Sequence, residues 1–237
     1  MKKFVLIGLF ASLLAIGSQA QDGASQIFER AKAAHGGAAL ESLITYRDTG
    51  TISSFDKGQV VAKLEYRQVY DFATSKVRIE LLQNKKPIQI FQTLPNEAWS
   101  WTSQSGVVRL PAAQAKPIRN SLFEGLFAFR AKSSELTDLK VTSAVKIGNL
   151  DGTAIEFKLN GIPSYPVIAA DGTIIGAQTT VNNNVVQANS SDYRTVAGVR
   201  LSFLTTTSVA GQPAFELKVD TAEVNPALTD ADFAKPQ

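Results

Sequence analysis

The feature that most constrains this chain is a period-two alternation of apolar and polar residues that sets in at Thr45 and recurs almost to the C-terminus. Val60, Ala62, Leu64 and Tyr66 interleave with Val61, Lys63, Glu65 and Arg67, and Val77, Ile79 and Leu81 interleave with Arg78 and Glu80. Side chains of a strand alternate between faces, so this spacing marks strands with one face buried and the other in water, the habit of antiparallel sheets. The alternation continues through Ile88 and Ile90 to Trp99 and Trp101, and resumes from Leu139 to Val224. Asp151-Gly152, Asp171-Gly172 and Asn182-Asn183-Asn184 stand where tight hairpins need residues that accept positive φ. About ten or eleven runs can be counted, most of them linked in sequence, which predicts an α+β, mainly β fold.

Helical spacing occurs in three places. Ala24 to Ala34 carries Ile27, Phe28, Ala31 and Ala34 on one face and is stopped by Gly36-Gly37, and a short helix is expected from Ala38 to Leu43. Within the segment from Pro111 to Lys132, Ile118, Leu122, Leu126 and Phe129 recur every three or four residues beside Phe123 and Phe127, which predicts a helix over 117–131. Pro117 removes a helical donor there, and Gly125 weakens the segment by about 1 kcal/mol relative to Ala. A helix so interrupted suits a movable lid.

The first twenty residues have a separate logic. Lys2 and Lys3 precede an apolar run from Phe4 to Gly17, and Ser18-Gln19-Ala20 supplies a small-x-small cleavage pattern, so residues 1–20 are expected to be a secretory signal cut after Ala20. The run is shorter than the roughly 20 residues of a membrane span, and no second one follows. Residues 21–237 are then expected to form a single soluble domain, exported to the periplasm. Losing two lysines with the leader takes the formal charge from +3 to +1, which gives no electrostatic case for nucleic acid. There is no Cys, so the domain must rest on its apolar core rather than on disulfides.

Catalytic chemistry is sparse. His35 is the single histidine, too little for a multi-histidine metal site, and as a residue of the last helical turn a partly cationic imidazole would suit the helix dipole. Asp230 and Asp232 lie in a TDAD stretch that resembles a capped turn more than an acid–base pair. There is no phosphate-binding loop, dinucleotide fingerprint or acidic calcium loop, and no cofactor is expected. A hydrolase or isomerase built on carboxylates is disfavoured because the apolar strand faces offer no evident Asp or Glu pair; an acid buried beside Tyr66 would reopen that possibility.

Aromatic residues point to binding instead. Phe91, Trp99, Trp101, Phe123, Phe127, Phe157, Phe203 and Phe215 are expected on one concave face. A wide incomplete barrel under one movable helix is hard to fill with its own side chains, so an apolar cavity is expected. Its expected lining is Leu64, Tyr66, Ile79, Ile90, Trp99, Trp101, Leu126, Phe127, Phe157 and Leu217, with Leu122 and Phe123 on the lid. Each buried methylene of a ligand contributes about 0.8 kcal/mol.

The opening AHGGAALESLITYRDTGTI, the penultimate SDYRTVAGVRLSFLTTTSV and the closing VNPALTDADFAKP resemble the corresponding segments of periplasmic proteins with the LolA-like lipoprotein-carrier fold. The resemblance implies a half-open, strongly curved antiparallel β-barrel whose concave face is covered by helices. It also implies a monomeric carrier of lipid or lipoprotein acyl chains that meets membrane-bound donor and acceptor proteins. Extra length around Ser164 to Asn189 departs from the dedicated lipoprotein chaperone. The alternative within the same fold is a sensor or protein-interaction module with no transported cargo.

Overall fold

A computed structural model describes residues 14–236, so the first thirteen residues of the expected leader lie outside the described residues. Helix α1 (Leu14–Ala34) ends at Gly36 and Gly37, both at positive φ, and the short helix α2 (Ala38–Glu41) follows. Six strands succeed them: β1 (Thr45–Asp56), β2 (Gln59–Asp71), β3 (Lys76–Gln83), β4 (Lys86–Thr93), β5 (Ala98–Thr102) and β6 (Gly106–Arg109). After helix α3 (Ala112–Asn120) and a run of 3₁₀ turns come β7 (Thr137–Ile147), β8 (Leu150–Leu159), β9 (Ile162–Ser164), β10 (Pro166–Ile168), β11 (Ile174–Val181), β12 (Asn184–Val196), β13 (Val199–Val209) and β14 (Gln212–Val224). No described helix is long and apolar enough to cross a membrane.

All the strands belong to one antiparallel sheet, ordered β6-β5-β4-β3-β2-β1-β14-β13-β12-β11-β10-β8-β7, with β9 paired to β8. The sheet curves without closing. The first and last strands meet at its centre, from Tyr46↔Val224 to Ser54↔Phe215, with a bulge between Thr49 and Gly50. Fourteen strands exceed the ten or eleven expected because β6, β9 and β10 are only three or four residues long and show no alternation to read.

Directly paired residues share a face, so the register sorts the side chains. Tyr46, Asp48 and Gly50 of β1 pair with Tyr70, Gln68 and Tyr66 of β2, and these with Val77, Ile79 and Leu81 of β3. This concave face takes the helices: Phe28 and Ala31 of α1 and Leu40 of α2 share one core cluster with Leu43, Tyr46, Tyr70, Val77, Phe203 and Val219. Phe28 stacks on Phe129 at 4.6 Å, and Phe157 meets both edge-on at 5.4 and 5.9 Å. Each such pair adds about 0.5–1.5 kcal/mol to the burial of the rings.

The opposite face carries Arg47, Arg67, Arg78, Glu80 and Gln92, closed over by the C-terminal turn Asp230–Phe233. That turn has the expected cap: the Thr229 side chain and the Asp232 carboxylate form a reciprocal capping box. Asp232 Oδ1 also accepts from Arg47 at 3.0 Å and Arg67 at 2.7 Å, and the Gln92 amide donates to the Phe233 carbonyl at 2.7 Å.

The helix expected over 117–131 takes a different form. Helix α3 stops at Asn120, and two 3₁₀ turns follow, Ser121–Phe123 and Gly125–Arg130, with Glu124 extended between them. Gly125 at φ +58° prevents a continuous α-helix, and three-residue hydrogen bonding keeps enough of the apolar spacing to imitate one in the sequence.

Candidate functional site

A half-open cavity of about 540 Å³ lies on the concave face. Its floor comes from β1, β2 and β11 to β14, one wall from the β9–β10 corner at Pro163 to Pro166, and its cover from the 3₁₀ segment between Ser121 and Phe127. Phe127 is wedged among the strand aromatics, with ring centroids 5.2 Å from Tyr46, 5.1 Å from Tyr70 and 4.9 Å from Phe72.

Of the residues expected to line a cavity, Leu126, Phe127 and Leu217 do so. Tyr66 is buried beside it and bonded to the lining residue Asp48, and Leu64 lies farther along β2, half-buried opposite Ile52. Ile79 packs against the main core cluster. Ile90, Trp99 and Trp101 belong to the other face. Trp99 pairs with Gln92, and Trp101 with Ile90, in the register rows of Arg78 and Glu80. Phe91 must then point the opposite way from Ile90, since neighbours on a strand alternate. Phe157 is fully buried under α1, and Phe215 is 51% exposed. Leu122 is buried and Phe123 half-buried against the core cluster, so both sit in the cover.

Three solved structures resemble the chain along nearly its whole length. A DUF1329 family protein from Desulfovibrio piger superposes with TM-score 0.64 at 10% identity, covering 91% of this chain and 97% of the other. An outer membrane lipoprotein-sorting protein domain from Vibrio parahaemolyticus gives 0.60 at 9% identity, and a LolA superfamily protein from Nitrosomonas europaea 0.59 at 11%, each covering 90% of this chain and 97% of the other. The chain has the LolA-like fold. Neither a protein-family model nor a curated protein matches the sequence.

Within this LolA-like sheet the polar residues of the cavity are the part the sequence did not single out. Asp48 is 4% exposed, and its Oδ2 accepts a hydrogen bond from the Tyr66 hydroxyl at 3.2 Å. Its Oδ1 is buried without a partner. Burial pushes the carboxyl up to about 7, against the pull of the Tyr66 hydroxyl and, after it, of the nearby Tyr46 hydroxyl and the Asp48 backbone N–H. Gly50 makes the arrangement possible: a Cβ there would stand 2.0 Å from the Lys218 carbonyl oxygen and 2.9 Å from the Tyr66 ring. Burial, and after it the Asp48 charge, holds the Tyr46 and Tyr70 phenols well above their ordinary range. The signal for this site was available in parity, because Tyr46, Asp48 and Gly50 alternate in register with the concave face of β2.

His35 also borders the cavity, and it is not cationic. Its Nε2 accepts the Ile174 N–H at 3.0 Å, so the proton is on Nδ1, which donates to the Arg200 carbonyl at 2.7 Å. Burial keeps its pKa below the usual histidine value. The expectation of a partly cationic, dipole-facing imidazole fails because the β10–β11 turn and the start of β13 close over the end of α1. Among the described residues no His, Cys, Asp and Glu group suits a metal ion.

Proposed function

We propose that this protein is a periplasmic binding or carrier protein for lipid or acylated cargo. The observation that carries this reading is the half-open, largely apolar cavity of about 540 Å³, within the size range of small-ligand sites, on the concave face of a LolA-like sheet. Export by a signal cleaved after Ala20 would place that cavity in an aqueous gap between membranes, where apolar cargo needs a soluble escort. The LolA-like neighbours include a lipoprotein-sorting domain, which agrees with that cargo class.

Binding would proceed by exchange. Phe127 fills the space between Tyr46, Tyr70 and Phe72, and the segment that carries it is a broken 3₁₀ stretch rather than a helix. An acyl chain entering the cavity would replace the Phe127 contacts with its own, so that the cover opens at little net cost in apolar exposure. In the membrane-partner alternative the same cavity stays closed over Phe127 and carries no lipid.

Mass spectrometry of organic extracts from the purified protein separates the two, with co-purified lipid expected. Phe127→Asp, checked for folding by circular dichroism, is expected to lose a fluorescent fatty-acyl probe that the native protein retains. Unchanged retention by the folded variant would count against the exchange mechanism.

The Asp48–Tyr66 bond favours a second reading, an acid–base enzyme, since it is the buried acid beside Tyr66 whose absence argued against one. The carrier reading is preferred because the cavity lining is largely apolar and the single His, with both nitrogens engaged by backbone groups, is not free to serve as the partner base of Asp48.

A further inference from the structure

Few polar atoms in the described structure are buried without a hydrogen-bond partner, and two of those few, Asp48 Oδ1 and Ser164 Oγ, belong to residues that line the same cavity. Leaving such a group unmet costs about 1–3 kcal/mol, and more when it is charged. A site that keeps unmet valences in its wall is matched to a ligand that supplies them. The charge pattern says which kind. The lining contains Asp48 and, at its exposed rim, Glu124, but no Lys or Arg, and its one histidine is neutral. An anionic head, such as a fatty-acid carboxylate or a phosphate, would meet only like charge there.

The aromatic residues point the same way. Tyr46 and Tyr70 flank the position that Phe127 occupies, and Asp48 lies on β1 two residues from Tyr46 and directly opposite Gln68 of β2. Once Phe127 withdraws, two tyrosine rings border the vacated space beside a carboxylate. That is the composition that attracts an organic cation, because ring quadrupoles and the carboxylate together offset its lost hydration. The cluster already holds one cation on its outer side: the Arg130 guanidinium lies 3.9 Å from the Phe72 centroid, with its Nε bonded to the Leu43 carbonyl. Its cavity side has none.

We propose that the ligand of this cavity carries a primary ammonium head, which donates to Asp48 and lies against Tyr46 and Tyr70 while its apolar chain runs along Leu201 and Leu217. This rests on the binding-protein reading above and narrows its cargo to amine-bearing amphiphiles.

The test uses three probes with the same twelve-carbon chain, dodecylammonium, dodecanoate and dodecanol, titrated calorimetrically below their micellar concentrations into the native protein at about pH 8. Dodecylammonium is expected to bind at least about tenfold more tightly than dodecanoate, the worth of one charge-assisted hydrogen bond. In Asp48→Asn, checked for folding by circular dichroism, that preference should shrink to less than about threefold, and Glu124→Gln should lower it by about twofold. Equal affinity of the native protein for all three probes would overturn the ammonium assignment and leave the binding reading standing. A preference that survives in Asp48→Asn would also overturn it. Failure of every probe to bind would remove the binding reading itself.

Discussion

Arg47 and Asp48 are neighbours on β1, yet they face two different worlds. On the convex side Arg47 joins a network in which Asp232 accepts from two guanidiniums, Arg78 holds Glu80 at 2.6 Å and Gln92 at 2.9 Å, and the last turn of the chain closes over them. On the concave side Asp48 has one tyrosine hydroxyl and an oxygen with no partner. Both faces bury charge. On the convex face the carboxylates of Asp232 and Glu80 are matched from within the chain, and the buried atoms left over are the donors Arg47 Nε and Trp99 Nε1, whereas the concave face leaves a carboxylate oxygen unmet. Buried polar groups are tolerated when satisfied, so the convex network reads as a clasp holding the C-terminus to the sheet and the concave acid as a group held ready.

The largest effect expected from this contrast is at the clasp. Arg78 is 8% exposed and also donates to the Ala234 carbonyl at 2.7 Å, so Arg78→Ala removes the partner of Glu80, Gln92 and the final turn together. Glu80 would keep only Arg67, at 3.6 Å. A loss of about 2–4 kcal/mol is expected, somewhat under the cost of breaking a fully buried pair because the buried Glu80 keeps the half-buried Arg67 as a partner. Urea unfolding should show the midpoint fall with the slope unchanged; an unaltered midpoint would mean the clasp contributes nothing to the fold.

At the concave acid the sign reverses, and pH exposes it. Asp48 has a folded pKa of about 7 against 3.8 for the free side chain, so the folded state prefers the protonated form. Its contribution to stability is fully present below about pH 4 and is lost as the pH climbs through 7. Asp232 has the opposite sense. Despite the cost of its partial burial, the Thr229 backbone N–H and the Arg67 and Arg47 guanidiniums hold its carboxyl below the usual range, so its contribution is present at neutral pH and lost in acid. Asp48→Asn should therefore unfold at a higher urea concentration than the native protein at about pH 8, by roughly 1–3 kcal/mol, and the gap should close by about pH 4. A gap that does not change with pH would show that Asp48 is not the titrating group.

The two faces also differ in how far the sequence discloses them. Alternation in Val77, Ile79 and Leu81 against Arg78 and Glu80 identified strands, antiparallel pairing and one apolar face, and the capped turn at Thr229 to Asp232 was legible as such. What alternation could not supply was the phase between hairpins. Ile90 and Phe91 cannot both be concave, and only the pairing of Gln92 with Arg78 and Trp99 shows that Ile90 and both tryptophans face the clasp. The incompleteness of the barrel predicts a cavity, and the sequence pattern reaches three of its side chains, Leu126, Phe127 and Leu217. Its polar wall is not legible in this way because β1, TYRDTGTISSFD, is mostly polar, so no apolar alternation marks which face Asp48 takes. The cover was misread for a different reason. A 3₁₀ turn repeats every three residues and an α-helix every 3.6, and over six residues the two cannot be told apart.

That cover gives the smallest and most selective test of the contrast. Gly125 has φ +58°, and a Cβ built on it meets nothing within 4 Å, so Gly125→Ala introduces no clash and acts through the backbone alone. A non-glycine residue in the left-handed region costs about 1–2 kcal/mol, less whatever alanine saves by narrowing the unfolded ensemble. If the 3₁₀ segment moves as a unit separate from the sheet, that cost falls on the closed cover and not on global unfolding. The urea midpoint should then stay within about 0.5 kcal/mol of native, amide hydrogen exchange across Ser121–Arg130 should quicken roughly fivefold to tenfold, and acyl-probe association should speed up because Phe127 leaves its ring cluster more often. If the cover is instead an inseparable part of the concave core, the whole penalty appears in the midpoint and exchange rises everywhere alike. In that case the clasp and the cover are both structural, and Asp48 faces a cavity whose opening requires the sheet itself to yield.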